Sequence, residues 1–183
     1  MRVLSQELAI ALEAFRNEIR QYTSPDGYDL FAHLQAHGHD PQALKALLTS
    51  HLQGQQFLFP DAPPRIKKWQ NEPETNLVIV TVGTPEYQNF KLKLCPELDG
   101  LPRYIIGFNK GHWLAKQWAN NTIHFDGADY NEALVVDDKA STFTPLAQAP
   151  ANVRLMHILR PDAAYPQISP LKRVEVVSGL ATI

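Results

Sequence analysis

The chain has 183 residues, of which 44% are hydrophobic and 20% charged, with a formal net charge of −2. That length supports one domain with a proper core and leaves little room for two. The near-neutral balance lacks the basic face with which a dedicated nucleic-acid binder displaces counterions.

Leu4, Leu8, Leu12, Phe15, Ile19 and Tyr22 recur at spacings of three and four, predicting an amphipathic helix over residues 5–22, with Ser5 as its cap. Glu7, Glu13, Arg16, Glu18 and Arg20 interrupt that apolar pattern, so the N-terminus does not read as a signal-peptide core. Ser24-Pro25-Asp26-Gly27 predicts a turn. A short helix is expected from about Asp29 to Gly38. Asp40-Pro41 opens a third, buried through Leu44, Leu47, Leu48 and Leu52 and stopped by Gly54.

Pro60, Pro63, Pro64 and Pro73 bar regular structure across an ordered crossing segment, residues 55–76. Its Arg65, Lys67 and Lys68 read as solvated loop charges. Strands are then expected at residues 77–82, 90–94, 103–108, 122–125, 133–137, 153–159 and 173–177. Thr84 to Tyr87 would join the first two as a hairpin, because Phe90, Leu92 and Leu94 alternate with Lys91 and Lys93. One helical excursion is expected over His112 to Ala119. The expected fold is α+β in a single domain: helices over about 1–54, then a mainly antiparallel sheet over 77–183.

Two tyrosines stand beside glycine-containing turns, Tyr104 in RYIIGF and Tyr130 in FDGADYNEA. With the early AFRNEIR, the crossing FLFPDAPP and the runs LVIVTVG and NFKLKL, these segments resemble the first half of a ribosome-inactivating protein A chain. The resemblance spans roughly residues 5–132 and implies an N-glycosidase that removes one adenine from ribosomal RNA. It implies that Tyr104 and Tyr130 hold the base between their rings, stacking worth about 1–3 kcal/mol per base. In that family a helix after the second tyrosine carries Glu-Ala-x-Arg, which faces the oxocarbenium ion and the departing base. No such pair follows Tyr130 here. Glu13-Ala14-Phe15-Arg16 carries the residue types before the tyrosines, so the implied domain keeps an adenine-sized cleft with catalysis in doubt.

Other constellations point elsewhere. Asp126 and the run Asp137-Asp138-Lys139 carry the residue types of a magnesium-dependent nuclease, in which carboxylates hold the ion and lysine positions water. A hairpin between residues 122–125 and 133–137 would set Asp126 and Asp137 about 15 Å apart, too far to share an ion; they could meet only if Gly127 to Tyr130 were itself the first strand. His33, His37 and His39 have metal-like spacing, with Asp40 as a fourth donor that capping explains better, so they read as surface histidines and no metal is assigned. The lone Cys95 excludes an internal disulfide framework and reads as a small buried hydrophobe. Trp113 and Trp118 would share a helical face, which either is buried or offers an aromatic surface to single-stranded nucleic acid or to a protein, as in an immunity, adaptor or assembly factor. The expected partners are ribosomal RNA or a protein. No cofactor motif is present, and with no run near the roughly 20 apolar residues of a membrane span, a cytoplasmic location is expected.

Overall fold

The computed structural model describes residues 17–19, 23–24, 27–107, 109–161, 165 and 167–183. Helix and strand are both present, and no helix among the described residues is long and apolar enough to cross a membrane. The chain falls into two compact units, Met1–Leu58 with Leu77–Phe108, and Phe59–Asn76 with Asn109–Ile183.

In the first unit, residues 17–19 are helical; the rest of the helix expected over residues 5–22 lies outside the described residues. A two-residue ribbon follows, β1 (Thr23–Ser24) against β2 (Gly27–Tyr28), antiparallel; Pro25 and Asp26 of the expected turn are not described. Helix α1 (Leu30–Ala36) begins where Asp29 accepts hydrogen bonds from the amides of Phe31 and Ala32. Helix α2 (Pro41–Leu52) begins likewise at Asp40, whose carboxylate accepts from the Gln42 amide at 2.9 Å. Both starts follow from a short acceptor side chain meeting otherwise orphaned N–H groups.

The remainder of this unit is a strand–helix–strand crossover: β3 (Ile79–Val82), α4 (Pro85–Lys93) and β4 (Arg103–Ile106). Strands β3 and β4 are parallel, with Val80 opposite Tyr104 and Val82 opposite Ile106. The hairpin and strand expected over residues 84–94 are therefore corrected to a helix. Pro85 occupies the first turn, where its missing N–H is no loss, and Tyr87, Phe90 and Leu94 turn toward the core at spacings of three and four. The lysine alternation fitted a period of two only because the run was short. Phe31 packs edge-on to Phe90 at 5.3 Å and to Tyr87 at 6.0 Å, within a core that includes Leu34, Leu44 and Leu48.

In the second unit, α3 (Ala62–Gln70) occupies the segment expected to be loop-like. Pro63 and Pro64 lie in its first turn, where proline is tolerated; the expectation had treated them as interior breakers. Lys67 and Lys68 are exposed on this helix, while the Arg65 guanidinium donates to the Leu180 carbonyl at 3.1 Å. After α5 (Lys110–Leu114), strands β5 (Trp118–Ala119), β6 (Thr122–Phe125) and β7 (Ala128–Tyr130) form an antiparallel meander. The excursion expected to Ala119 thus ends early, and Trp118 is a strand residue. Asp126 and Gly127 both have positive φ, at 54° and 76°, the backbone of a two-residue hairpin turn matched to strand twist.

Strands β8 (Ala133–Asp137), β9 (Val153–Ile158) and β10 (Val174–Val177) then form a parallel sheet in the order β10-β9-β8. Helix α6 (Ala140–Phe143) and the tighter turn Thr144–Leu146 lie in the crossover from β8 to β9. The mainly antiparallel sheet of the sequence expectation is therefore only partly matched, since both strand–helix–strand crossovers are parallel. Phe143, Leu146, Val153 and Leu155 are buried at the centre of this unit, and the Arg173 guanidinium donates to the carbonyls of Ala149, Pro150 and Val153 at the entrance to β9.

Candidate functional site

The carboxyl end of the parallel sheet concentrates charge. Open α/β sheets bind ligands there, because strands stop together and the connecting loops supply side chains and free backbone groups. Asp137 is the last residue of β8, and its register partner on β9 is His157. Its carboxylate is buried, accepts the Lys139 amide at 2.8 Å through one oxygen, and forms an ion pair with the Lys110 ammonium through the other. The first contact is an Asx turn that folds Asp138 and Lys139 back over the strand end. The second ties the start of α5 to the strand.

Lys110 reaches Asp137 because α5 lies close against the β8–β9 crossover. Asn109 caps that helix, accepting from the Gly111 amide at 2.8 Å. A Cβ at Gly111 would lie 2.0 Å from the Thr142 carbonyl oxygen and 3.0 Å from Pro145, so only glycine allows this approach. His157 is fully buried, and its Nε2–H donates to the Asp138 carbonyl at 3.1 Å. Its Nδ1 meets no hydrogen-bond partner among the described residues. Asp138 remains exposed, and the Lys139 ammonium sits 4.4 Å from the centre of the Tyr165 ring. The strand end thus gathers the buried Asp137–Lys110 ion pair and the buried His157 imidazole, with Asp138 and Lys139 following directly in the chain.

Asp126 does not join this group by strand pairing. It sits exposed in the β6–β7 turn, and β6 pairs with β5 and β7 rather than with β8. The hairpin assumed between residues 122–125 and 133–137 is not formed. Nothing in the sequence pairs Lys110 with Asp137 or singles out His157, although Asn109-Lys110-Gly111 carries a cap signal.

Tyr104 lies on β4 of the first unit and Tyr130 on β7 of the second, both half-buried. Tyr130 packs against the core of its unit, and its hydroxyl oxygen accepts from the Asn76 amide group at 2.6 Å. Glu13 and Arg16 lie outside the described residues. Trp113 stands edge-on to Phe125 at 5.6 Å, whereas Trp118 packs against the core cluster from β5. They do not share a helix.

In the first unit, His33 and His37 meet Glu18 rather than His39 or Asp40. His33 is fully buried, contrary to the expectation of a surface residue. Cys95 is buried, and that burial pushes its thiol above the ordinary range, with the Glu97 carboxylate adding to the effect. The chain matches no protein-family model, no curated protein and no solved structure.

Proposed function

We propose that the β8–β9 edge binds a phosphate ester together with a divalent cation such as Mg²⁺ and promotes its hydrolysis. The observation that carries this reading is Asp137, a buried carboxylate ending a parallel strand and ion-paired with Lys110. Hard divalent cations take oxygen ligands and commonly use one or two carboxylates plus phosphate oxygens. Asp137 and Asp138 supply the carboxylates. Lys110, held by Asp137, and Lys139 supply positive charge for phosphoryl oxygens. Asp137, Asp138 and Lys139 also carry residue types of a magnesium-dependent nuclease, but the ion-pair partner of Asp137 is Lys110 and Asp126 lies in the β6–β7 turn.

The test is turnover of an aryl phosphate monoester, an aryl phosphodiester and a supercoiled plasmid by the full chain, with and without Mg²⁺ or Mn²⁺. Metal-dependent turnover is expected with one of these ester classes, falling at least about 100-fold in Asp137→Asn. Absence of turnover at high protein concentration, or equal rates in wild type and Asp137→Asn, overturns the reading.

A second reading keeps the adenine-specific N-glycosidase implied by the resemblance to ribosome-inactivating proteins. It rests on the sequence resemblance alone; Tyr104 and Tyr130 are each half-buried within their own units. Its assay is incubation with ribosomes followed by aniline treatment of the RNA. A discrete fragment released by aniline supports it, and intact RNA at enzyme excess removes it.

A further inference from the structure

We propose that Glu18, His33 and His37 form a binding site for a divalent first-row transition ion, with zinc the best match to the donor set. The three side chains each offer one ligand atom, and all of these lie within 4.8 Å of one another. The Glu18 Oε2 atom is 3.1 Å from His33 Nε2 and 3.0 Å from His37 Nε2. Around a tetrahedral zinc with bonds of about 2.0–2.2 Å, neighbouring ligand atoms stand about 3.3 Å apart. Two of the three edges therefore already have the length that a shared ion would impose.

The supports of the site match its use. His33 ends its ring at Tyr28, whose hydroxyl lies 2.8 Å from Nδ1 and so fixes which nitrogen faces Glu18. Metal-bound imidazoles characteristically have their second nitrogen held in this way. His37 follows His33 by four residues, which puts both rings on one side of α1, and their centroids are 5.1 Å apart. The burial gradient runs from His33, fully enclosed, to His37 and Glu18, whose side chains are 33% and 28% exposed. His37 thus has room to shorten the third edge, and the exposed side leaves a fourth position for water. Two imidazoles with one carboxylate suit zinc, cobalt, nickel or ferrous iron, and not magnesium or calcium, which prefer oxygen throughout.

A purely hydrogen-bonded triad is the competing account, and metal titration separates the two. The full chain, stripped with chelator, is dialysed against Zn²⁺ at micromolar concentrations and titrated separately with Co²⁺. The expected result is one tightly bound ion per chain and visible cobalt bands of low-symmetry four- or five-coordination. Affinity should fall at least about tenfold in His37→Ala and in Glu18→Gln, and stay unchanged in His39→Ala. Tyr28→Phe keeps the ligands and should weaken binding by about 10–100-fold. Circular dichroism checks that each variant is folded. If His37→Ala does not fold, paramagnetically shifted imidazole protons in the cobalt-loaded wild type show which histidines are bound. Failure of the wild type to take up an ion, variants that bind as tightly as wild type, or shifts from other histidines overturns the site.

Discussion

Asp137 and His157 stand opposite each other at the carboxyl end of neighbouring parallel strands, and they face different demands. The carboxylate is satisfied twice, by Lys110 and by the Lys139 amide. The imidazole uses Nε2 to hold the Asp138 carbonyl and leaves Nδ1 buried without a partner among the described residues. Such an orphaned nitrogen costs about 1–3 kcal/mol. The strand end therefore sets a doubly satisfied carboxylate beside an imidazole with one unmet nitrogen.

Replacing Asp137 by asparagine keeps the shape and removes the charge facing Lys110. Stability should drop by about 1.5–3 kcal/mol, the range for hydrogen bonds to charged groups, read as a lower urea midpoint. An unchanged midpoint would show that the pair contributes nothing to the folded state.

Gly111→Ala tests the packing that delivers Lys110. The new methyl must displace the Thr142 backbone carbonyl, which cannot rotate away as a side-chain tip would. A loss of about 1–3 kcal/mol is expected, together with reduced phosphate-ester turnover as Lys110 moves off the strand end. The nearby Ala115→Gly change, on the same segment without that clash, serves as the comparison; full activity in Gly111→Ala would contradict this account.

Asp61 should contribute to the acid sensitivity of the second unit. Hydrogen bonds from the Arg160 guanidinium, at 2.8 and 2.9 Å, lower its carboxyl below the ordinary value, and the Leu180 amide reinforces the shift. Below the ordinary carboxylate value of about 4, the unfolded chain binds the proton first. Stability from this pair is therefore present above that value and is lost as pH falls through the lower native one. Urea midpoints at pH 7, 4 and 3 should fall more steeply in wild type than in Arg160→Met. Parallel declines would rule out a linked role for Asp61.

Cys95 should react slowly with maleimide near neutral pH and at the free-thiol rate once denaturant exposes it, because burial disfavours its thiolate. Its linkage runs opposite to that of Asp61. The contribution is present below the ordinary thiol value of about 8.5 and is lost as pH rises through the raised native one. Rapid labelling of the native protein would count against the buried placement.

The sequence by itself determined the elements whose signals are local. Asp29, Asp40 and Pro41 mark α1 and α2 because a cap needs only an acceptor beside free amides. Six of the expected strands, among them residues 103–106, 133–137 and 153–158, appear because their apolar runs are long enough to show. Residues 84–94 and 60–70 were misread where proline serves equally as a breaker or as a first-turn residue, and where a short lysine alternation fits two periods. Tertiary structure alone decided that the strands run parallel, since strand direction depends on crossovers and leaves no local mark. It also decided the sites. Lys110 is 27 positions from Asp137, and Glu18 is 15 from His33; no spacing rule reaches across a crossover or between separate segments. Side chains so far apart become neighbours only when burial of the apolar faces fixes the path of the backbone between them.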